Sequence, residues 1–183
     1  MASTNSESVI KLADLVAQSA PKPPAAAAFV LSDEERHDIE HALTHYPDGR
    51  AASIDALKAV QQRRGWVPDE AIAPLAAMIG ISAAELEGVA TFYSLIFRQP
   101  VGRHVIKVCD SISCFLTGYD DIKLALEQKL GIRYGQTTPD HRFTLLPICC
   151  LGACDKGPTL MIDDDLHGDL TPASLDGILA NYR

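Results

Sequence analysis

Long apolar runs are missing from this sequence. No stretch approaches the roughly eighteen consecutive apolar residues that a membrane-crossing helix needs, and the N-terminus lacks the charged start and apolar run of a secretory signal. The expectation is a cytoplasmic chain with no direct membrane insertion. Positive charge is also scarce: 16 Lys and Arg stand against 24 Asp and Glu, for a net charge of −8. A surface of that sign repels nucleic acid and anionic lipid heads, so no nucleic-acid partner is expected. A Cys-x-x-Cys pair is absent, which argues against a thioredoxin-like redox dithiol. No Gly-x-Gly-x-x-Gly fingerprint or P-loop occurs, so no nucleotide is expected on this chain.

Apolar residues are plentiful, at 47% of 183. That suffices for a proper core, in one compact domain or two small ones. All five cysteines fall between Cys109 and Cys154. In a reducing compartment such clustering reads first as a metal or redox site and only then as a disulfide framework.

The chain divides by composition and periodicity. Residues 1–30 mix Ser, Asn, Ala and Pro and read as a flexible tail, with Val9, Leu12, Leu15 and Val16 on one side of a short amphipathic turn capped by Ser8. Residues 31–97 read as a helical bundle. Ser32 with Glu35 and Ser82 with Glu85 form capping boxes that open the first and fourth helices. Ile39, Ala42, Leu43 and Tyr46 line the first helix before Pro47, and Ile54, Leu57 and Val60 line the second, which Gly65 closes. The third helix lies between Pro68 and Ile79, with Pro74 either kinking it or marking its first turn.

Beyond Pro100 and Gly102 the period changes, and 98–183 reads as a small α/β layer of thioredoxin type. The β-branched run Val105 to Val108 ends on Cys109. Ile122, Ala125, Leu126 and Leu130 follow helical spacing up to Gly131. Phe143 to Ile148 is a second strand leading into Cys149 and Cys150. Thr159–Ile162 and His167–Leu170 flank an acidic turn as a hairpin. Thr171 caps a last helix, with Pro172 at its first position and Leu175, Ile178, Leu179 and Tyr182 as its buried stripe.

The cysteines are spaced Cys109-x4-Cys114, then thirty-five residues, then Cys150-x3-Cys154. Two loops, each following a strand, thus offer two thiolates apiece, and a two-iron, two-sulfide cluster takes two per iron. Zinc also accepts four thiolates, so a structural zinc staple stays open on spacing alone. Either Cys149 or Cys150 can supply the third ligand, since adjacent residues at a strand end point oppositely; the plainer reading of Cys149 is a buried small hydrophobe in the strand's last position. Gly118, Gly152, Gly157 and Pro158 let the loops bend around an inorganic core with N–H groups aimed at sulfur. Asp110 and Asp155 push the potential down, and Lys156 opposes them.

The segments VCDSISC at 108–114, RFTLLPICCLGACDKGP at 142–158, GVATFYSLIFRQPVGRHVIKVC at 88–109 and RGWVPDEAI at 64–72 resemble the thioredoxin-like [2Fe–2S] subunit family of NADH dehydrogenases, from about Leu31 to the C-terminus. The resemblance implies an N-terminal helical bundle followed by a thioredoxin-like ferredoxin domain, an α+β or α/β chain overall. It places one [2Fe–2S] cluster on Cys109, Cys114, Cys150 and Cys154, leaves Cys149 out, and implies no catalytic residues. The implied role is a one-electron carrier within a respiratory NADH:quinone oxidoreductase of the complex I type. FMN and NADH would sit on a partner flavoprotein subunit, among other peripheral-arm subunits, at the cytoplasmic face of the inner membrane. A soluble NAD-dependent formate dehydrogenase or hydrogenase uses a similar small subunit and is the near alternative.

Three other groups point elsewhere. His37, His41 and His45 recur every four residues but lie opposite the Ile39–Leu43 stripe, as a solvated face does. Asp163, Asp164, Asp165 and Asp169 lack the EF-hand pattern and read as an acidic turn. Phe92, Tyr93 and Phe97 are expected to pack where the bundle meets the ferredoxin layer.

Overall fold

The computed structural model describes residues 29–183. The tail expected over 1–30, with its short amphipathic turn, lies almost wholly outside the described residues.

Four helices come first: α1 (Asp33–Leu43), α2 (Ser53–Arg64), α3 (Asp69–Ile79) and α4 (Ala83–Phe92). Both capping boxes form. Ser32 Oγ accepts from the Glu35 N–H at 3.1 Å while Glu35 Oε2 accepts from the Ser32 N–H at 2.7 Å, and Ser82 and Glu85 repeat the exchange. These bonds satisfy N–H groups that a helix start otherwise leaves unpaired. Gly65 and Gly80 end α2 and α3 at positive φ. Pro74 lies inside α3, which starts at Asp69, so the Glu70 carbonyl loses its helical donor and Pro74 does not mark the first turn. Tyr46 departs from the expected stripe: α1 stops at Leu43, and the exposed Tyr46 donates to Asp55 at 2.7 Å.

Ile39, Leu57, Val60, Leu75 and Leu86 build the core of this unit. Glu35 is buried beside it, held by the Arg64 guanidinium, with Nη2 2.7 Å from Oε2. The Arg64 bond outweighs the cost of burial and holds the Glu35 carboxyl below its ordinary value. Arg98 fastens the following segment by donating to the Val67 carbonyl (2.6 Å), Asp69 (2.7 Å) and Glu87 (2.9 Å).

The second unit comprises β1 (His104–Cys109), α5 (Ile112–Leu116), α6 (Tyr119–Leu130), β2 (Phe143–Ile148), a 3₁₀ turn (Cys154–Lys156), β3 (Leu160–Ile162), β4 (Asp165–His167) and α7 (Leu175–Leu179). The sheet order is β2-β1-β3-β4. β1 and β2 run parallel, joined through α6 as a parallel pair requires, while β1–β3 and β3–β4 are antiparallel. Ile106, Ile122, Leu126, Leu145, Leu160, Ile162 and Leu175 fill a separate core. Gly102 enters the sheet so close to β2 that a Cβ would stand 2.9 Å from the backbone of Arg142 and Phe143.

The structure corrects four expectations here. The hairpin closes on two residues, Asp163 and Asp164, with Ile162 opposite Asp165, so its second strand starts inside the acidic stretch and ends at His167. Asp163 takes φ 52° there, as a two-residue hairpin loop demands, and its carboxylate accepts from the Val105 N–H (2.9 Å) and meets His104 Nδ1 (2.7 Å). The last helix is shorter than expected: Thr171 and Ser174 bond each other in a turn, leaving Pro172 outside. Phe92 is 80% exposed and Tyr93 is exposed too, because the backbone turns extended at Tyr93 and aims both rings outward. α5 forms inside what read as the first cysteine loop. His37 and His41 stand on the exposed face of α1, as expected, whereas His45 is exposed just beyond its end because the helix stops at Leu43. Among the described residues no single helix is long and apolar enough to cross a membrane.

Candidate metal centre

The site is built by register. Cys109 ends β1 opposite Ile148, which ends β2, so both cysteine loops leave the sheet at neighbouring carboxyl ends of parallel strands. Such ends, rather than strand interiors, are where α/β sheets assemble ligand sites. Asp110 N–H donates to the Ile148 carbonyl at 3.0 Å and Cys109 N–H to the Thr159 carbonyl at 3.1 Å, tying the first loop to both neighbouring strands.

The four predicted ligands fall into two pairs. Cys109 (2% exposed) and Cys114 (1%) are buried, Cys114 within α5. Cys109 Sγ donates to the Cys149 carbonyl at 3.4 Å, and Cys114 Sγ lies 3.4 Å from Thr159 Oγ1. Cys150 and Cys154 are exposed, with sulfurs 3.8 Å apart. Gly152, at φ 78°, turns its N–H onto Cys150 Sγ at 3.4 Å. On the inner side Gly157 leaves no room for a side chain: a Cβ would lie 2.7 Å from Thr117 Oγ1 and 3.7 Å from Cys114 Sγ.

Electrostatics separate the pairs. Burial pushes the Cys109 thiol up, but the Ser111 and Leu151 N–H groups, the Cys114 thiol and the Thr159 hydroxyl outweigh it and bring the thiol below its ordinary range. Cys154 moves the other way, raised first by its contact with Cys150, then by the charges of Cys150 and Cys114, against a lowering contact from Ser113. Thiolates this close repel one another, and a metal cation at the centre relieves the repulsion.

These residues fit an iron–sulfur core. The thiols are free, the Gly152 N–H is turned onto the Cys150 sulfur, and a side-chain-free wall stands at Gly157. Among the described residues no three His, Cys, Asp or Glu side chains gather closely enough for a single ion, whereas an inner and an outer pair suit two irons that take two thiolates each.

Cys149 differs from expectation. It is exposed, because β2 ends at Ile148 and the chain has already turned outward. Thr159 is the polar side chain that sequence reading passed over, and its place as the first residue of an expected strand gave no hint of the Cys114 contact.

Comparisons with known proteins agree with the geometry. The family model of the thioredoxin-like [2Fe–2S] ferredoxin matches residues 39–183. The E subunit of the NADH-quinone oxidoreductase of Escherichia coli (strain K12) is 61% identical over 160 residues, which cover 87% of this chain and 96% of that one. The chain belongs to the thioredoxin-like [2Fe–2S] ferredoxin family, among the E subunits of NADH-quinone oxidoreductases. As such a ferredoxin it carries one [2Fe–2S] cluster. The corresponding E subunit of Pseudomonas aeruginosa is 59% identical over 154 residues, 84% of this ferredoxin and 93% of the relative. Among solved structures, an air-oxidized NAD+-reducing [NiFe]-hydrogenase superposes with a TM-score of 0.59 at 25% identity, covering 69% of this ferredoxin and 22% of the hydrogenase chain.

Proposed function

We propose that this chain is the electron-carrier subunit of a respiratory NADH:quinone oxidoreductase, exchanging single electrons with the FMN of a partner flavoprotein, and that Cys109, Cys114, Cys150 and Cys154 hold its cluster. The observation that supports the reading is the departure of both cysteine loops from neighbouring carboxyl ends of two parallel strands, with one cysteine pair enclosed and the other open to the surface. The bound cluster supplies reversible one-electron chemistry.

The chain's own residues do the rest. Cys109 and Cys114 anchor the centre inside the fold, and the burial of their sulfurs excludes water from that side. The Gly152 N–H points at the Cys150 sulfur, and the backbone N–H groups of Ser111 and Leu151 favour negative charge on Cys109. Cys150 and Cys154 present the open side to the electron partner. Ile112, Phe115 and Leu116 on α5 stand exposed beside Cys114, the last at 77%, and an exposed apolar patch at the centre's rim suits a subunit interface. The flavoprotein is the partner this reading assigns to that patch. NADH and FMN belong to it, and the assembly sits with other peripheral-arm subunits on the cytoplasmic face of the inner membrane.

The small [2Fe–2S] subunit of a soluble NAD-dependent formate dehydrogenase or hydrogenase is the second reading; a likeness to the NAD+-reducing hydrogenase at 25% identity speaks for it, against 61% for an E subunit. The test is iron and sulfide analysis of the anaerobically purified chain, with electron paramagnetic resonance before and after dithionite. Two irons, two sulfides and a signal that appears on reduction support the electron carrier. One colourless zinc overturns it and makes the chain a structural staple.

A further inference from the structure

Thr159 is 1% exposed, so water does not reach its hydroxyl. That hydroxyl meets Cys114 Sγ at 3.4 Å. The residue is fixed from two sides. Its carbonyl accepts from the Cys109 N–H at 3.1 Å, and its neighbour Leu160 pairs with Val108 of β1. A β-branched side chain on so constrained a backbone has little χ1 freedom, and a buried hydroxyl left without a partner is destabilising. The contact with sulfur is therefore part of how this segment folds.

In the thiol form either atom can donate. A metal-bound cysteine has no proton, which leaves the threonine O–H as donor and the sulfur as acceptor. Reduction adds negative charge that the ligand sulfurs share, and hydrogen bonds to those sulfurs are among the groups that set a cluster's potential. In a dry pocket such a bond acts more strongly than at the exposed Cys150 and Cys154, where water competes.

We infer that Thr159 is a positioning residue that raises the reduction potential of the centre by donating a hydrogen bond to the Cys114 thiolate. The role rests on the ligand set proposed above. Thr159→Val replaces the hydroxyl with a methyl group at nearly the same volume, and Thr159→Ser keeps the hydroxyl. The full chain, loaded with iron and sulfide, is titrated against potential while the reduced-state paramagnetic signal is followed. At the wild-type midpoint the valine variant is expected to show about a tenfold lower ratio of reduced to oxidised centre, equivalent to about 59 mV for a one-electron couple. The serine variant should recover most of that shift. If valine blocks loading, Thr159→Ala takes its place in the same titration.

A loaded valine or alanine variant with the wild-type midpoint overturns the Thr159 role alone. A serine variant displaced as far as valine overturns it too, since packing rather than the hydroxyl would then be responsible. A wild-type chain that takes up no cluster overturns the electron-carrier reading, and the Thr159 role with it.

Discussion

The two units bury polar groups in different ways. In the helical unit the deepest charge, Glu35, meets Arg64 and the Ser32 N–H within the same chain. In the ferredoxin unit Cys109 and Cys114 are buried near the Thr159 hydroxyl, and three further thiols stand outside them. One unit satisfies its buried charge internally; the other gathers donors whose mutual repulsion a metal relieves. The helical unit is thus expected to keep its structure whether or not the centre is filled, and the cysteine loops to tighten on filling.

The largest effect expected to sharpen this contrast is loss of the centre. Alanine in place of any one of Cys109, Cys114, Cys150 or Cys154 should abolish the reducible paramagnetic signal, while Cys149→Ala leaves it and the iron content unchanged. Hydrogen exchange should show the helical unit equally protected in all five variants. Retention of the full signal in Cys150→Ala with its loss in Cys149→Ala would reassign the third ligand.

Alkylation of the metal-free chain should divide the thiols next. Cys149, Cys150 and Cys154 should react promptly with iodoacetamide, and Cys109 and Cys114 about a hundredfold more slowly, because their exposure needs local opening. Peptide mass spectrometry over time checks this. Equal rates would break the division into an inner and an outer pair.

Glu35→Ala tests the self-sufficient unit. It removes a buried ion pair and half a capping box and should cost about 2 kcal/mol in urea unfolding, less than a fully enclosed pair because Arg64 is 33% exposed. Iron content should not change. Acid acts on the same pair. With the Glu35 carboxyl held below its ordinary value, its contribution is complete above about pH 4.3 and is lost as pH falls through the lower folded value. Glu35→Gln should flatten that part of the stability profile.

The smallest expected effect lies at the surface. Leu116→Glu puts a charge into the exposed apolar patch of α5 and should weaken association with the proposed flavoprotein partner about tenfold, or about 1.4 kcal/mol, without altering the chain's own spectrum. Calorimetry with the purified partner reads it.

Much of this was legible because its causes are local. Capping boxes announce themselves within four residues, and Ser32 and Ser82 both delivered. The β-branched run before Cys109 and the run ending at Ile148 became β1 and β2. The family's ligand pattern named four cysteines, and they lie on the two loops that follow the ends of β1 and β2. What stayed hidden depends on register and on where elements stop. Cys149 turned out exposed because β2 ends one residue before it. Phe92 and Tyr93 turned outward because α4 gives way to extended backbone there. Thr159 gained its meaning only from the pairing of β3 with β1, a contact between residues forty-five apart in sequence.

The pairing of Cys109 with Ile148 has a last consequence. Adjacent strands lie about 4.8 Å apart whatever side chains they carry, so the backbone ladder acts as a ruler for the distance between the two loop roots. Mutation can then rewrite the outward-facing residues beyond those roots, changing which molecule the chain meets, while the gauge of the centre stays constant. A scaffold of this kind can pass between assemblies and keep its inorganic chemistry.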